Sequence, residues 1–234
     1  MFNFFQKKLR PKSDRLLEAI ANVEGHIADR AGLVKISGRG GTSGIGVTTY
    51  FDGGLVFDVG TKNDHQPMLP SSVVEKTRSC PLVLAQQKMP EWKVGLCVPL
   101  DILPQTEEQE VAFFKRACPI TSSASKQALY SVVYGVLASS KEQDFNGFCS
   151  SIRSIQRCKW KSLERGLYGE PLVLIERKIY EAGATVVGMS SLGPSLFFLA
   201  ADVGGVAAKM RATFPFHKWI VSTCNNSGRI LKLK

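Results

Sequence analysis

Gly38-Arg-Gly-Gly-Thr-Ser-Gly-Ile-Gly46 is the stretch on which the reading of this chain turns. Glycines let a backbone approach a ligand closely and take positive φ. Successive N–H groups can then surround an anion. Arg39 adds a permanent cation, and Thr42 and Ser43 add hydroxyl donors. The expected phosphate contacts here are Arg39, Gly40, Gly41, Thr42, Ser43 and Gly44. No Gly-Lys-Ser/Thr follows at Walker spacing, and the element ahead of the segment reads as a helix, not the strand a dinucleotide fold needs. Taken alone, the glycine content fits a flexible turn as well as a phosphate loop.

Working outward, Leu16, Leu17, Ile20, Val23 and Ile27 recur at helical spacing and predict an amphipathic helix over Lys12–Arg30. After the glycines, Val47–Phe51 and Leu55–Val59 read as two β-rich runs joined by the hairpin signal Asp52-Gly53-Gly54. Asp64–Ser72 reads as a loop, and a domain boundary is expected near residues 60–90, giving units over 1–75 and 76–234. Beyond it, strands are expected at Lys93–Pro99, Thr185–Gly188, Leu196–Ala201 and Trp219–Thr223. Helices are expected at Glu107–Ala117, Ser125–Ala138, Phe145–Ile155, Pro171–Ala182 and Asp202–Thr213. Helices mixed with separated strands make an α+β arrangement.

A second hydroxyl-rich bend, Gly188-Met-Ser-Ser-Leu-Gly-Pro-Ser195, joins two of these strands. Ser190, Ser191, Gly193 and Ser195 are its candidate phosphate-lining residues, although an ordinary hairpin loop has the same composition. Two such bends in one basic chain strengthen the phosphate reading of each.

Composition narrows the partners. The net charge of +10 favours an anionic ligand. The basic residues are dispersed, and no zinc finger, RNA-recognition signature or basic zipper appears, which disfavours nucleic acid. No apolar run reaches the roughly 20 residues of a membrane span. The cysteines Cys80, Cys97, Cys118, Cys149, Cys158 and Cys224 show no metal-binding spacing, and reduced thiols in a cytoplasmic protein are expected. His26 reads as a surface residue beside an apolar stripe and His217 as a surface residue before a basic strand. His65, beside Asp64, is the better histidine for chemistry. Glu107, Glu108 and Glu110 read as the acidic first turn of a helix.

Arg39-Gly-Gly-Thr-Ser-Gly-Ile-Gly-Val47, Gly53-Gly-Leu-Val-Phe-Asp58, Leu69-Pro-Ser-Ser72, Pro90-Glu-Trp-Lys-Val94, Glu107–Cys118-Pro-Ile120 and Gly188-Met-Ser-Ser-Leu-Gly-Pro194 follow one another in an order that resembles the beta-ribofuranosylaminobenzene 5'-phosphate synthase family of the GHMP superfamily. Thr223–Leu231 is similar to that family's terminal strand. The resemblance implies a two-domain α+β GHMP fold, with an N-terminal α/β domain and a ferredoxin-like C-terminal domain. It implies a pentosyltransferase. Phosphoribosyl pyrophosphate would donate its ribosyl phosphate to 4-aminobenzoate or 4-hydroxybenzoate, with loss of CO2 and pyrophosphate, on the way to methanopterin. It also implies Mg2+ accompanying the pyrophosphate, a phosphorylated small-molecule substrate and a homodimer.

The sequence departs from the family in places. Only residues 1–36 precede the glycine segment, where the family carries a further glycine- and serine-rich loop, so a truncated N-terminal domain is expected. The family's Gly-Gly-His reads Val59-Gly60-Thr61 here. A GHMP small-molecule kinase and an inactive truncated homologue remain the alternatives. Against the kinase stands Gly46, which occupies the place where many GHMP kinases carry an Asp, and glycine can neither accept a proton nor orient a hydroxyl.

Overall fold

The computed structural model describes residues 44–60 and 82–229. Arg39, Gly40, Gly41, Thr42 and Ser43, the expected helix over Lys12–Arg30, the loop Asp64–Ser72, and His26 and His65 lie outside them. The chain divides into two compact units. One comprises Met1–Lys88, Glu107–Cys118 and Asn225–Lys234, the other Met89–Thr106 and Pro119–Cys224.

In the first unit, Ile45–Asp52 is a helix, α1, and not the strand that Val47–Phe51 suggested. β-branched and aromatic residues favour strands only weakly against their surroundings. Here the surroundings favour a helix. Ile45 and Thr48, one turn apart, are both buried. Thr48 N–H donates to Gly44 O at 2.8 Å, and the Thr49 hydroxyl turns back onto Ile45 O at 2.7 Å. The Asp58 carboxylate accepts the Gly44 N–H at 2.9 Å, anchoring the first turn where the helix leaves its donors unpaired.

Gly53 and Gly54, at φ +71° and +75°, reverse the chain into β1, Leu55–Asp58. The turn signal therefore holds, but it joins a helix to a strand. β1 pairs antiparallel with β2, Val83–Gln87, in the register Leu55↔Gln87. β2 lies in the stretch read as a connector. Its apolar run Leu82–Ala85 is short and ends at Gln86 and Gln87, so it was passed over beside the longer strands. α2, Glu107–Ala117, forms as expected, with Glu107, Glu108 and Glu110 in its first turn and Lys115 and Arg116 in its last. Both ends complement the helix dipole.

The second unit is built on a four-stranded sheet in the order β4-β5-β3-β6. The strands are β3 Lys93–Val98, β4 Val186–Met189, β5 Leu196–Leu199 and β6 Lys218–Thr223. Every pairing is antiparallel, with Gly95↔Phe198, Gly188↔Phe197 and Lys93↔Thr223 among the partners. Read along the chain, strand, helices, two strands, helix and strand in this order make the ferredoxin-like split βαβ arrangement.

Between β3 and β4 run α3 (Ser122–Tyr130), a π-helical segment Ser131–Leu137 and α4 (Ala138–Glu142), which follow one another without a break. α5 (Phe145–Gln156), α6 (Lys159–Arg165) and α7 (Gly169–Glu181) come next. α8, Val203–Thr213, connects β5 to β6. Asp144 and Asp202 cap α5 and α8 by accepting the N–H of Gly147 and Gly205. α6 has no counterpart in the sequence reading.

Alternation along β4 and β5 explains the layers. Val187, Met189, Leu196 and Phe198 join Leu172, Ile175 and Ile179 of α7 and Val206, Ala207 and Met210 of α8 in one core. The opposite face of β4 meets α5, so these strands are buried on both sides. Gly188 marks the contact: a Cβ there would lie 2.3 Å from the Phe197 ring and 3.0 Å from Gln156.

Cys97 and Cys149 are buried free thiols of this unit, and Cys118, Cys158 and Cys224 are more accessible free thiols among the described residues. Burial pushes Cys97 far up. Burial pushes Cys149 up to about 12, with Arg153 opposing and Asp144 reinforcing. At pH 8, roughly one Cys149 in ten thousand is then a thiolate. A disulfide reagent should label these two only as fast as the chain unfolds; labelling of either within minutes under native conditions would contradict their placement.

Candidate functional site

The serine-rich bend between β4 and β5 is a compact turn with a buried polar foundation. Within it, Ser190 N–H donates to Ser195 O and Gly193 N–H to Ser190 O, both at 2.9 Å. Ser191 sits at φ +51° and Gly193 at φ +80°. Gly193 is required twice over, because a Cβ would also fall 2.6 Å from Met189 Sδ and 2.7 Å from the Tyr168 ring. The structure thus brings Ser190, Ser191, Gly193 and Ser195 into one loop. Gly44 belongs to the other unit, at the start of α1, where its N–H is held by Asp58.

Three side chains fix the loop from beneath. Gln156, at the end of α5, accepts Met189 N–H at 3.0 Å and the Arg165 guanidinium at 3.2 Å. Arg165 also donates to Gln156 O at 2.9 Å and pairs with Glu176 at 3.0 Å. The Tyr168 hydroxyl donates to Leu192 O at 2.6 Å. Lys161 Nζ donates to Ser191 O at 2.7 Å and pairs with Glu164. Lys161 is 5% exposed and Glu164 0%. Burial pushes the Lys161 ammonium down, with Glu164 opposing. It pushes the Glu164 carboxyl up, with Lys161 opposing. Glu176 is likewise raised by burial against the pull of Arg165.

The loop's remaining donors are available. The N–H groups and hydroxyl of Ser191, the N–H of Leu192, and the N–H and hydroxyl of Ser195 bond to no protein atom among the described residues. A positive-φ residue with adjacent unpaired N–H groups is the geometry that accepts an anionic oxygen. Behind it, the buried Lys161 is paired with Glu164, and the partly exposed Arg165 is paired with Glu176.

Lys161, Glu164 and Arg165 escaped the sequence reading. Trp160-Lys-Ser-Leu-Glu-Arg165 looks like a surface helix with an i,i+3 ion pair. The structure inverts that pattern, because Leu163 is 41% exposed while the charged pair is buried.

His217 needs correction. It is not on the surface: it is 8% exposed, stacked on Phe214 at 5.3 Å, with Nε2 3.7 Å from Asp101. The aromatic neighbours Phe214 and Trp219 cover it. A groove of about 310 Å³ along α2, lined by Glu107, Glu108, Val111, Ala112 and Lys115, contains none of the expected phosphate contacts.

The described residues form an α+β protein whose second unit carries a ferredoxin-like antiparallel sheet. A homoserine kinase from Cytophaga hutchinsonii superposes with a TM-score of 0.61 over 89% of this chain and 62% of that one, at 20% identity, which bears on the fold alone. In sequence, the beta-ribofuranosylphenol 5'-phosphate synthase of Archaeoglobus fulgidus is 31% identical over 184 residues, covering 78% of this chain and 56% of the relative. The synthases of the same name from Methanothermobacter thermautotrophicus and Methanocaldococcus jannaschii are 30% and 27% identical, covering 61% and 60% of their lengths. The chain spans a little over half the length of these curated relatives. Over the stretch it shares with them, the chain is similar in sequence to the beta-ribofuranosylphenol 5'-phosphate synthases. No protein-family model matches the sequence.

Proposed function

We propose that the chain acts in ribosyl transfer as a pentosyltransferase, joining phosphoribosyl pyrophosphate to a 4-substituted benzoate with loss of CO2 and pyrophosphate, in the cytoplasm and toward methanopterin. The observation that carries this reading is the relatedness to three synthases of one name over most of this chain. The serine loop supports it, with hydroxyl and N–H donors that bond to no protein atom among the described residues. In such a transfer, negative charge grows on the departing pyrophosphate, and fixed donors aimed at that charge lower the barrier.

The relatives' name favours 4-hydroxybenzoate as the acceptor. A ribosylphenol is what remains when that acid exchanges its carboxyl group for the sugar. Arg39, Gly40, Gly41, Thr42 and Ser43 are proposed to hold phosphate oxygens, and Ser191 and Ser195 are proposed independently as anion donors of their own loop. Among the described residues, no three His, Cys, Asp or Glu side chains gather as a metal cage. Mg2+ would arrive on the pyrophosphate, mostly ligated by its oxygens and by water. No helix among the described residues is long and apolar enough to cross a membrane.

The test is turnover by the purified chain with phosphoribosyl pyrophosphate, Mg2+ and 4-hydroxybenzoate. Equimolar release of pyrophosphate and CO2 is expected. ATP-dependent phosphorylation of a small alcohol without pyrophosphate release would replace this reading with kinase chemistry. Arg39→Ala should weaken binding of phosphoribosyl pyrophosphate about tenfold or more, the scale of a lost charge-assisted bond, with an unchanged melting curve. Unchanged affinity by calorimetry would remove Arg39 from the site.

A further inference from the structure

Lys161 holds the Ser191 carbonyl, and that single bond sets the direction of the next donor. In a trans peptide, the C=O of one residue and the N–H of the following residue point opposite ways. Lys161 Nζ lies 2.7 Å from Ser191 O, so the Leu192 N–H faces away from the ammonium. That N–H bonds to no protein atom among the described residues. The next peptide is fixed in the same manner. Tyr168 takes Leu192 O, and Gly193 N–H turns inward to Ser190 O. The two supports therefore sort the loop's amides, one N–H spent inside the turn and one turned away from Lys161 with no protein partner among the described residues.

Ser191 is in the left-handed region, at φ +51°, which a serine occupies at some cost. A charge-assisted bond to its carbonyl is strong enough to hold it there. Glu164, fully buried beside Lys161, keeps the ammonium in place. A hydrophobic side chain would fill this space without the desolvation that an ion pair suffers, so the pair's use lies in what its free hydrogen bond orients.

We propose that Lys161, held by Glu164, is a positioning residue that orients the Ser191–Leu192 peptide so that the Leu192 N–H is presented, with the Ser191 N–H and hydroxyl, to a phosphate or pyrophosphate oxygen. This rests on the reading of the serine loop as the phosphate-facing loop and adds the group that orients it.

The test uses Mg2+-pyrophosphate as the probe and the full chain. In 15N-labelled wild type, titration should shift the Leu192 and Ser191 amides along one saturation curve. Lys161→Met is combined with Glu164→Leu, so that no charge is buried alone. This double variant should bind pyrophosphate about tenfold more weakly, with a native circular dichroism spectrum. Lys161→Arg keeps a donor for Ser191 O and should retain affinity within about threefold. A wild type that binds pyrophosphate without moving the Leu192 amide, or a folded double variant that binds as tightly as wild type, overturns the positioning role and leaves the functional reading standing. A wild type that binds no pyrophosphate overturns both. If the double variant does not fold, the wild-type amide titration decides.

Discussion

Glu164→Leu should destabilise the chain by about 3–5 kcal/mol, because it leaves the Lys161 ammonium buried with a carbonyl as its remaining partner. In a protein of this size, that corresponds to a fall in melting temperature of order 10 °C. Adding Lys161→Met should restore most of the loss, since two apolar side chains of similar volume can replace a buried pair at little net cost. Strong coupling between the two positions in a double-mutant cycle is therefore expected. A harmless single change, or a double variant less stable than either single one, would show that the pair is not buried as described. The helix α6 is short, and its capping residue Cys158 gives no side-chain cap. Its place depends on this pair and on the Arg165 bonds to Gln156 and Glu176.

The second large effect is expected in the other unit. Gly228→Ala should cost about 3 kcal/mol or more. A Cβ at Gly228 would lie 2.1 Å from Phe51 O and 2.7 Å from Asp52 N, and its φ is +67°. Both obstacles are backbone, so no rotamer change relieves them. The segment is tied to α1 and its turn by Gly54 N–H on Asn225 O and Arg229 N–H on Tyr50 O, both at 2.8 Å, with the Arg229 guanidinium 4.5 Å from the Phe51 ring. Gly169→Ala separates the two causes. Gly169 has φ +60° but nothing within 4 Å of a Cβ, so its loss should be about 1 kcal/mol, the conformational term alone. Equal effects at the two positions, measured by urea denaturation, would contradict the close approach at Gly228.

Both predictions fall where the sequence is hardest to read. Elements with end signals of their own were legible, such as α2 between Thr106 and Pro119 and α7 up to the Gly183 stop. The strands β3 to β6 were legible too, because burial on one or both faces leaves a continuous or alternating apolar record. Val47–Phe51 was misread because its strand-favouring residues are overruled by tertiary anchors that sit elsewhere in sequence, such as Asp58. β2 was missed because its apolar run, Leu82–Ala85, is short and is cut off by Gln86 and Gln87. The loop Ser190–Ser195 was visible from its residues, but its foundation was not. A buried lysine and glutamate three residues apart have the same spelling as a surface pair, and only the packing of α6 against the β4–β5 turn tells them apart. The resemblance to a synthase family supplied what periodicity could not, namely that the serine bend and the glycine segment recur together.

Recognition of the pyrophosphate end of an activated ribose, as proposed above, is what the functional reading rests on. Calorimetric titration of the purified chain with phosphoribosyl pyrophosphate in Mg2+ tests it most directly, repeated with saturating pyrophosphate and with saturating ATP. The account predicts one-site binding that pyrophosphate abolishes and ATP leaves nearly unchanged. Binding abolished by ATP but not by pyrophosphate, or no heat with phosphoribosyl pyrophosphate at all, would contradict it.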